Sequence, residues 1–155
     1  MPVADPDDVL AETRAILAAH AGVEGALLPV LQAVQARFGH VPAAALPVIA
    51  GALGMSRAEV MGVVSFHHDF REVPAGRKVL RLCRAEACQA VGGRALEAHA
   101  MARLGIGWGE TTADGAVTLE PVYCLGLCAC GPAALVDGEV VGRLTAAAFD
   151  RLVSA

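Results

Sequence analysis

Most of the chemistry open to this chain rests with five cysteines, Cys83, Cys88, Cys124, Cys128 and Cys130, all in the second half of its 155 residues. Cys83 and Cys88 are spaced C-x4-C, and Cys124 and Cys128 are spaced C-x3-C. Clustered thiols in a reducing compartment serve metal binding or redox chemistry, whereas a secreted disulfide framework is smaller, richer in cysteine and usually even in count. A 2Fe-2S cluster takes four thiolates, two on each iron, and accepts wider ligand spacing than one ion does. Structural zinc prefers C-x2-C knuckles, and neither pair forms one. A Rieske centre needs two histidines near its cysteines, but His67 and His68 lie upstream and His99 falls inside a predicted helix. A dithiol redox site would want C-x-x-C, and only Cys128-Ala129-Cys130 comes close. Spacing favours iron–sulfur, with structural zinc and dithiol redox as the remaining readings.

The elements that must position these thiols divide the chain in two. Residues 1–76 read as a four-helix bundle followed by a linker, and residues 77–155 as a mixed helix and sheet domain. Asp5-Pro6-Asp7-Asp8 offers a capping aspartate, a first-turn proline and acids suited to a helix N-terminus. The helix it opens runs to about residue 20 through Val9, Leu10, Thr13, Ile16 and Leu17. Further helices are predicted over 27–38, stopped by Gly39, and over 46–53, with a fourth opened by the capping box Ser56-Arg57-Ala58-Glu59. In the second segment, 78–83 alternates like a strand, 88–104 reads as a helix and 117–122 as a second strand. Asp137-Gly138 joins two hairpin arms over 133–136 and 139–144, and a last helix covers 146–153. Cys83 would end a strand, Cys88 would start a helix, and Cys124 and Cys128 would sit in a glycine-containing loop. Both pairs then lie at one end of a sheet.

Composition limits the partners. The chain is 55% hydrophobic and 18% charged, so it folds. Its formal net charge is −4 with no basic block, which argues against nucleic acid. No run approaches the roughly 20 apolar residues of a membrane span, so no membrane insertion is expected. The acidic opening MPVADPDDVL lacks the features of a secretory signal, so the expected location is cytoplasmic. The excess of acids lies wholly in the helical half, leaving the cysteine half relatively basic, with Arg81 and Arg84 beside Cys83. Those arginines are either solvated surface or partial compensation for an anionic cofactor.

The tract Cys124-Leu125-Gly126-Leu127-Cys128, followed by Gly131-Pro132-Ala133 and the hairpin from Val136 to Thr145, resembles the thioredoxin-like 2Fe-2S ferredoxin subunits. So do Leu27-Leu28-Pro29-Val30-Leu31-Gln32, Gly39-His40-Val41-Pro42 and Ser65-Phe66-His67-His68-Asp69-Phe70, which resemble the family's helical extension. The resemblance implies an α+β protein whose second domain is a thioredoxin-like β-α-β-β-β-α unit carrying one 2Fe-2S cluster. It makes Cys83, Cys88, Cys124 and Cys128 the ligands. It also implies an electron-transfer subunit with no catalytic site of its own, docking on a flavoprotein subunit that binds FMN and NAD. The tract Cys-Leu-Gly-Leu-Cys-Ala-Cys-Gly-Pro looks most like the gamma subunits of NAD-dependent formate dehydrogenases, which would add an iron–sulfur and molybdenum catalytic partner. Respiratory complex I and NAD-reducing hydrogenase use similar subunits. FMN, NAD and molybdenum are expected only in partners. Two departures from the family pattern are Ser65-Phe66-His67, where Thr-Phe-Tyr is common, and the extra thiol Cys130.

Overall fold

The computed structural model describes residues 5–154, so part of the opening segment read above lies outside the described residues. The chain divides into two compact units between Pro74 and Ala75.

The first unit contains four helices: α1 (Pro6–Ala19), α2 (Leu27–Phe38), α3 (Ala45–Leu53) and α4 (Arg57–Phe66). Their ends follow local chemistry. The Asp5 carboxylate accepts the Asp7 N–H at 2.9 Å at the start of α1. Ser56 and Glu59 exchange side-chain and backbone hydrogen bonds of 2.8 and 3.2 Å at the start of α4, which satisfies two otherwise orphaned N–H groups. Each helix turns an apolar stripe inward, so Val30, Leu31, Val34, Ala45, Ile49 and Val60 are fully buried. Gln35 ties down the segment after α4: its amide donates to the Asp69 carbonyl at 2.6 Å and accepts the Arg71 N–H at 2.7 Å. Among the described residues no single helix is long and apolar enough to cross a membrane.

The second unit is a five-stranded sheet with helices. Its elements are β1 (Lys78–Cys83), α5 (Glu86–Ala90), α6 (Gly93–Leu104), β2 (Glu110–Thr111), β3 (Val117–Val122), β4 (Ala134–Val136), β5 (Glu139–Val141) and α7 (Ala146–Ser154). The strand order is β2-β3-β1-β4-β5. β1 and β3 are parallel, in a register running from Lys78 opposite Val117 to Cys83 opposite Val122. The other pairings are antiparallel. The core is built from Leu80, Leu82, Val117 and Leu119 on the strands, Leu96 and Ala100 on α6, and Phe149 on α7. Such burial is the main favourable term in folding. This is a mixed helix and sheet thioredoxin-like fold.

Three details differ from the sequence expectation. The helix expected over 88–104 is two helices, because Gly92 adopts a φ of 100° that ends α5. Cys88 consequently lies within α5 instead of opening a long helix. A fifth strand, β2, pairs with β3; two residues are too few to leave a periodic signature. The hairpin arms are shorter than expected, since Arg143, at a φ of 52°, turns the chain toward α7.

Ile49 is completely buried in α3. Ile49→Ala should lower the stability of the helical unit by about 2–5 kcal/mol, and Ile49→Val by about 0.5–1.5 kcal/mol, both read from urea unfolding.

Candidate metal centre

Strand topology decides where the thiols meet. Because β1 and β3 run parallel, their carboxyl ends lie at the same edge, placing Cys83 beside Val122. β4 runs the other way and pairs Ala134 with Leu82, so the 123–133 loop leaves and returns at that edge. Two backbone hydrogen bonds fasten the junction: Cys83 N–H to the Ala133 carbonyl at 2.9 Å and Arg84 N–H to the Val122 carbonyl at 2.8 Å. Cys88 returns to the same end on α5.

The four thiols form two pairs. The Cys124 and Cys128 sulfurs are 3.9 Å apart. The Cys83 and Cys88 thiols interact with each other, which favours the thiolate on Cys83 and the thiol on Cys88. The pairs are also neighbours, since Cys128 feels charge on Cys83 and Cys88 feels charge on Cys128. Their surroundings differ: Cys83 and Cys88 are buried, whereas Cys124 and Cys128 are exposed. Cys83, Cys88 and Ala133 make a small apolar cluster with Val122, Leu125 and Leu127 packed on it, so the two loop leucines screen the inner pair from water.

Backbone groups aim at the sulfurs. Burial pushes the Cys83 thiol up, but N–H groups of Ala85, Cys124 and Leu125, with the Cys88 thiol, outweigh it and hold Cys83 below the usual thiol value. Cys88 is raised, first by burial and then by the neighbouring Cys83 thiol, against the Ala133 N–H. Cys128 is raised by its hydrogen bond to Cys124 and by charge there. The Gly126 N–H reaches the Cys124 sulfur at 3.4 Å. A thiolate is the metal-binding form, and N–H groups that favour it are the donors an anionic cluster needs.

The loop is shaped for this approach. Cys124 has a φ of 80°, uncommon for a side-chain-bearing residue and typical of strained functional loops. Two glycines solve different problems. Gly126 has open space around it and serves a φ of 76°. Gly131 serves close approach: a Cβ there would sit 2.9 Å from Val91 Cγ2 and 3.4 Å from the Cys88 sulfur.

The other sequence candidates lie elsewhere. Neither arginine beside Cys83 is simple solvated surface. Arg81 pairs with Glu120 at 2.8 Å, and Arg84 pairs with Glu97 at 3.1 Å. The Arg84 guanidinium also lies 5.1 Å from the centre of the Trp108 ring. His67 and His68 are exposed in the helical unit, and His99 is hydrogen-bonded to Asp150 at 2.8 Å. Cys130 closes a 3-10 turn over Cys128–Cys130, and its carbonyl accepts the Arg143 N–H at 2.6 Å. Sequence reasoning missed Glu97 and Gln89; both hold the segment between Cys83 and Cys88 through contacts that no local motif announces.

The donor set fits a binuclear cluster. The two neighbouring thiol pairs offer two donors for each of two irons.

The model of the thioredoxin-like [2Fe-2S] ferredoxin family matches residues 13–155. An NADH-quinone oxidoreductase subunit of Rhizobium meliloti (strain 1021) is 38% identical over 142 residues, 92% of this chain and 84% of that protein. Its counterpart in the NADH-quinone oxidoreductase of Pseudomonas aeruginosa is 36% identical over 130 residues, covering 84% of this chain and 78% of the relative. Among solved structures, an air-oxidised NAD+-reducing [NiFe]-hydrogenase superposes with a TM-score of 0.70 and 32% identity. That match covers 83% of this chain but 22% of the hydrogenase chain. The family match takes in both units and all five cysteines, and on it this chain belongs to the thioredoxin-like 2Fe-2S ferredoxin family, whose members hold one 2Fe-2S cluster.

Proposed function

We propose that this chain is an electron-transfer subunit in which Cys83 and Cys88 hold one iron of a 2Fe-2S cluster and Cys124 and Cys128 hold the other. The observation that carries the assignment is the gathering of two thiol pairs at one sheet end, with a 3.9 Å sulfur separation in the outer pair. When bound, the cluster accepts and returns one electron. The chain's own residues bind it, turn backbone N–H groups toward its sulfurs and, through Leu125 and Leu127, limit water. The guanidinium of Arg84 is engaged with Glu97, which weakens it as a counter-charge. Such a site disfavours the more anionic reduced form, so its potential should be low and suited to exchange with flavin and NADH.

Residues 1–76 and 77–155 act in this reading as a helical domain with linker and a cluster-bearing domain, supported by the division between Pro74 and Ala75. The relatives named above favour a parent of the NADH-quinone oxidoreductase or NAD-reducing hydrogenase type, and the immediate partner in this reading is the FMN- and NAD-binding flavoprotein that the family resemblance implies. None of those relatives is a formate dehydrogenase, so the formate-oxidising, molybdenum-containing parent suggested by the 124–132 tract gains no support. Partner identification after affinity purification from the native cell separates these parents: a membrane quinone-reducing arm, a nickel–iron subunit and a molybdenum subunit are different companions.

Anaerobically purified protein should be red-brown, contain iron and acid-labile sulfide, and give a paramagnetic signal after dithionite. A colourless zinc protein would overturn the assignment. Cys124→Ser and Cys128→Ser should lose the cluster or change its spectrum, while Cys130→Ser should keep it. Loss of the cluster only in Cys130→Ser would place the fifth thiol among the ligands instead. Gly131→Ala should lower iron content per chain well below that of the parent protein, because the added methyl group must displace Val91 or Cys88.

A further inference from the structure

The two thiol pairs differ in how readily a molecule from solution can reach them. Cys83 and Cys88 are 7% and 3% exposed, with Leu125 and Leu127 packed against them. Cys124 and Cys128 are exposed, and their sulfurs are 3.9 Å apart. A disulfide bond is about 2.05 Å long, so this outer pair must close by roughly 1.9 Å to form one. The stretch between them has room to move: Leu125-Gly126-Leu127 joins the two cysteines, and a Cβ placed on Gly126 would meet nothing within 4 Å.

The fifth thiol is placed differently. Cys128 and Cys130 stand at the two ends of one 3-10 turn, and at three residues per turn their side chains leave it about 120° apart. Cys130 is also anchored on another element. Its carbonyl accepts the Arg143 N–H at 2.6 Å, and a Cβ on Gly142 would sit 3.0 Å from the Cys130 Cβ. Cys124 and Cys128 are therefore the two cysteines that are both exposed and side by side.

We propose that, before a cluster is loaded, Cys124 and Cys128 form a reversible oxidation site that exchanges with small disulfides such as oxidised glutathione. One sulfur of the pair attacks the small disulfide, forming a mixed disulfide and releasing one small thiol. The second sulfur then displaces the other small thiol, leaving a Cys124–Cys128 bond. Two electrons pass from the pair to the small disulfide, and the two thiol protons end on the two released thiols. The second step is intramolecular, which favours closure over a second adduct. The bond takes two of the four donors out of use, so an oxidised chain takes up no cluster until a dithiol reductant reopens it. That consequence rests on the ligand assignment proposed above, whereas the exchange itself rests only on the exposure and separation of two sulfurs.

The test uses the full chain in two forms, cluster-loaded and cluster-free, the second prepared anaerobically with an iron chelator under a reductant that is then removed. Each form is exposed to oxidised glutathione, alkylated under denaturing conditions and mapped by peptide mass spectrometry. The cluster-free chain should lose two free thiols, carry no glutathione at the end point and show one Cys124–Cys128 link that dithiothreitol reverses. Cys83, Cys88 and Cys130 should all be alkylated. Cys128→Ser should stop at a glutathione adduct on Cys124, and Cys130→Ser should behave like the parent chain. A cluster-free chain that keeps every thiol, or that links Cys128 to Cys130 or Cys83 to Cys88, would overturn the proposal. The loaded chain should keep its iron and visible absorbance and form no link. A Cys124–Cys128 link formed with the iron still bound would instead overturn the ligand assignment.

Discussion

The parallel pairing of β1 with β3 is the constraint from which the rest of the site follows. It brings two strand ends to one edge, so that Cys83 and the loop carrying Cys124 and Cys128 start from adjacent positions. The antiparallel return of β4 on the other side of β1 then pins the far end of that loop. Hydrogen bonds from Cys83 to Ala133 and from Arg84 to Val122 lock the junction between the three strands. Parallel strands need a crossover, and here it begins with α5, which follows β1 directly and so keeps Cys88 at the end where Cys83 lies. A single topological choice thus delivers sulfurs from three separate segments.

Charge at this end is handled by the backbone more than by side chains. Arg81 and Arg84 flank Cys83 in sequence, yet each is paired with a carboxylate. The groups aimed at the sulfurs are peptide N–H donors of Ala85, Cys124, Leu125, Gly126 and Ala133. Fixed dipoles of this kind favour a thiolate without contributing a full positive charge. The inner pair is buried beneath Leu125 and Leu127 while the outer pair meets solvent, so the site has a dry side and an open side.

The helical unit was legible in detail because its signals are local. The Asp5 cap, the Ser56–Glu59 capping box and the apolar stripes lie within a few residues of the structure they specify, and each element appears at the expected place. The second unit was legible in its longer pieces, β1, β3 and α7. It was not legible where tertiary contacts override periodicity: the break at Gly92, the two-residue β2 and the early end of β5. The long-range clasp of Gln35 on the segment that follows α4 left no trace in the pattern either.

At the site the division is sharper. Residue type and spacing marked five thiols with two spaced pairs among them, because ligand chemistry is a property of the side chains, and the family resemblance implied which four would serve as ligands. What folding decided was the rest: which pair is buried, which glycine serves a turn and which a close approach, and that the neighbouring arginines are committed to Glu120 and Glu97. Glu97, Trp108 and the amide of Gln89 reach the Cys83 segment only through α5, α6 and the loop before β2. Such contacts depend on the relative placement of whole elements, set by strand register and core packing, and no local run of residues encodes that placement by itself.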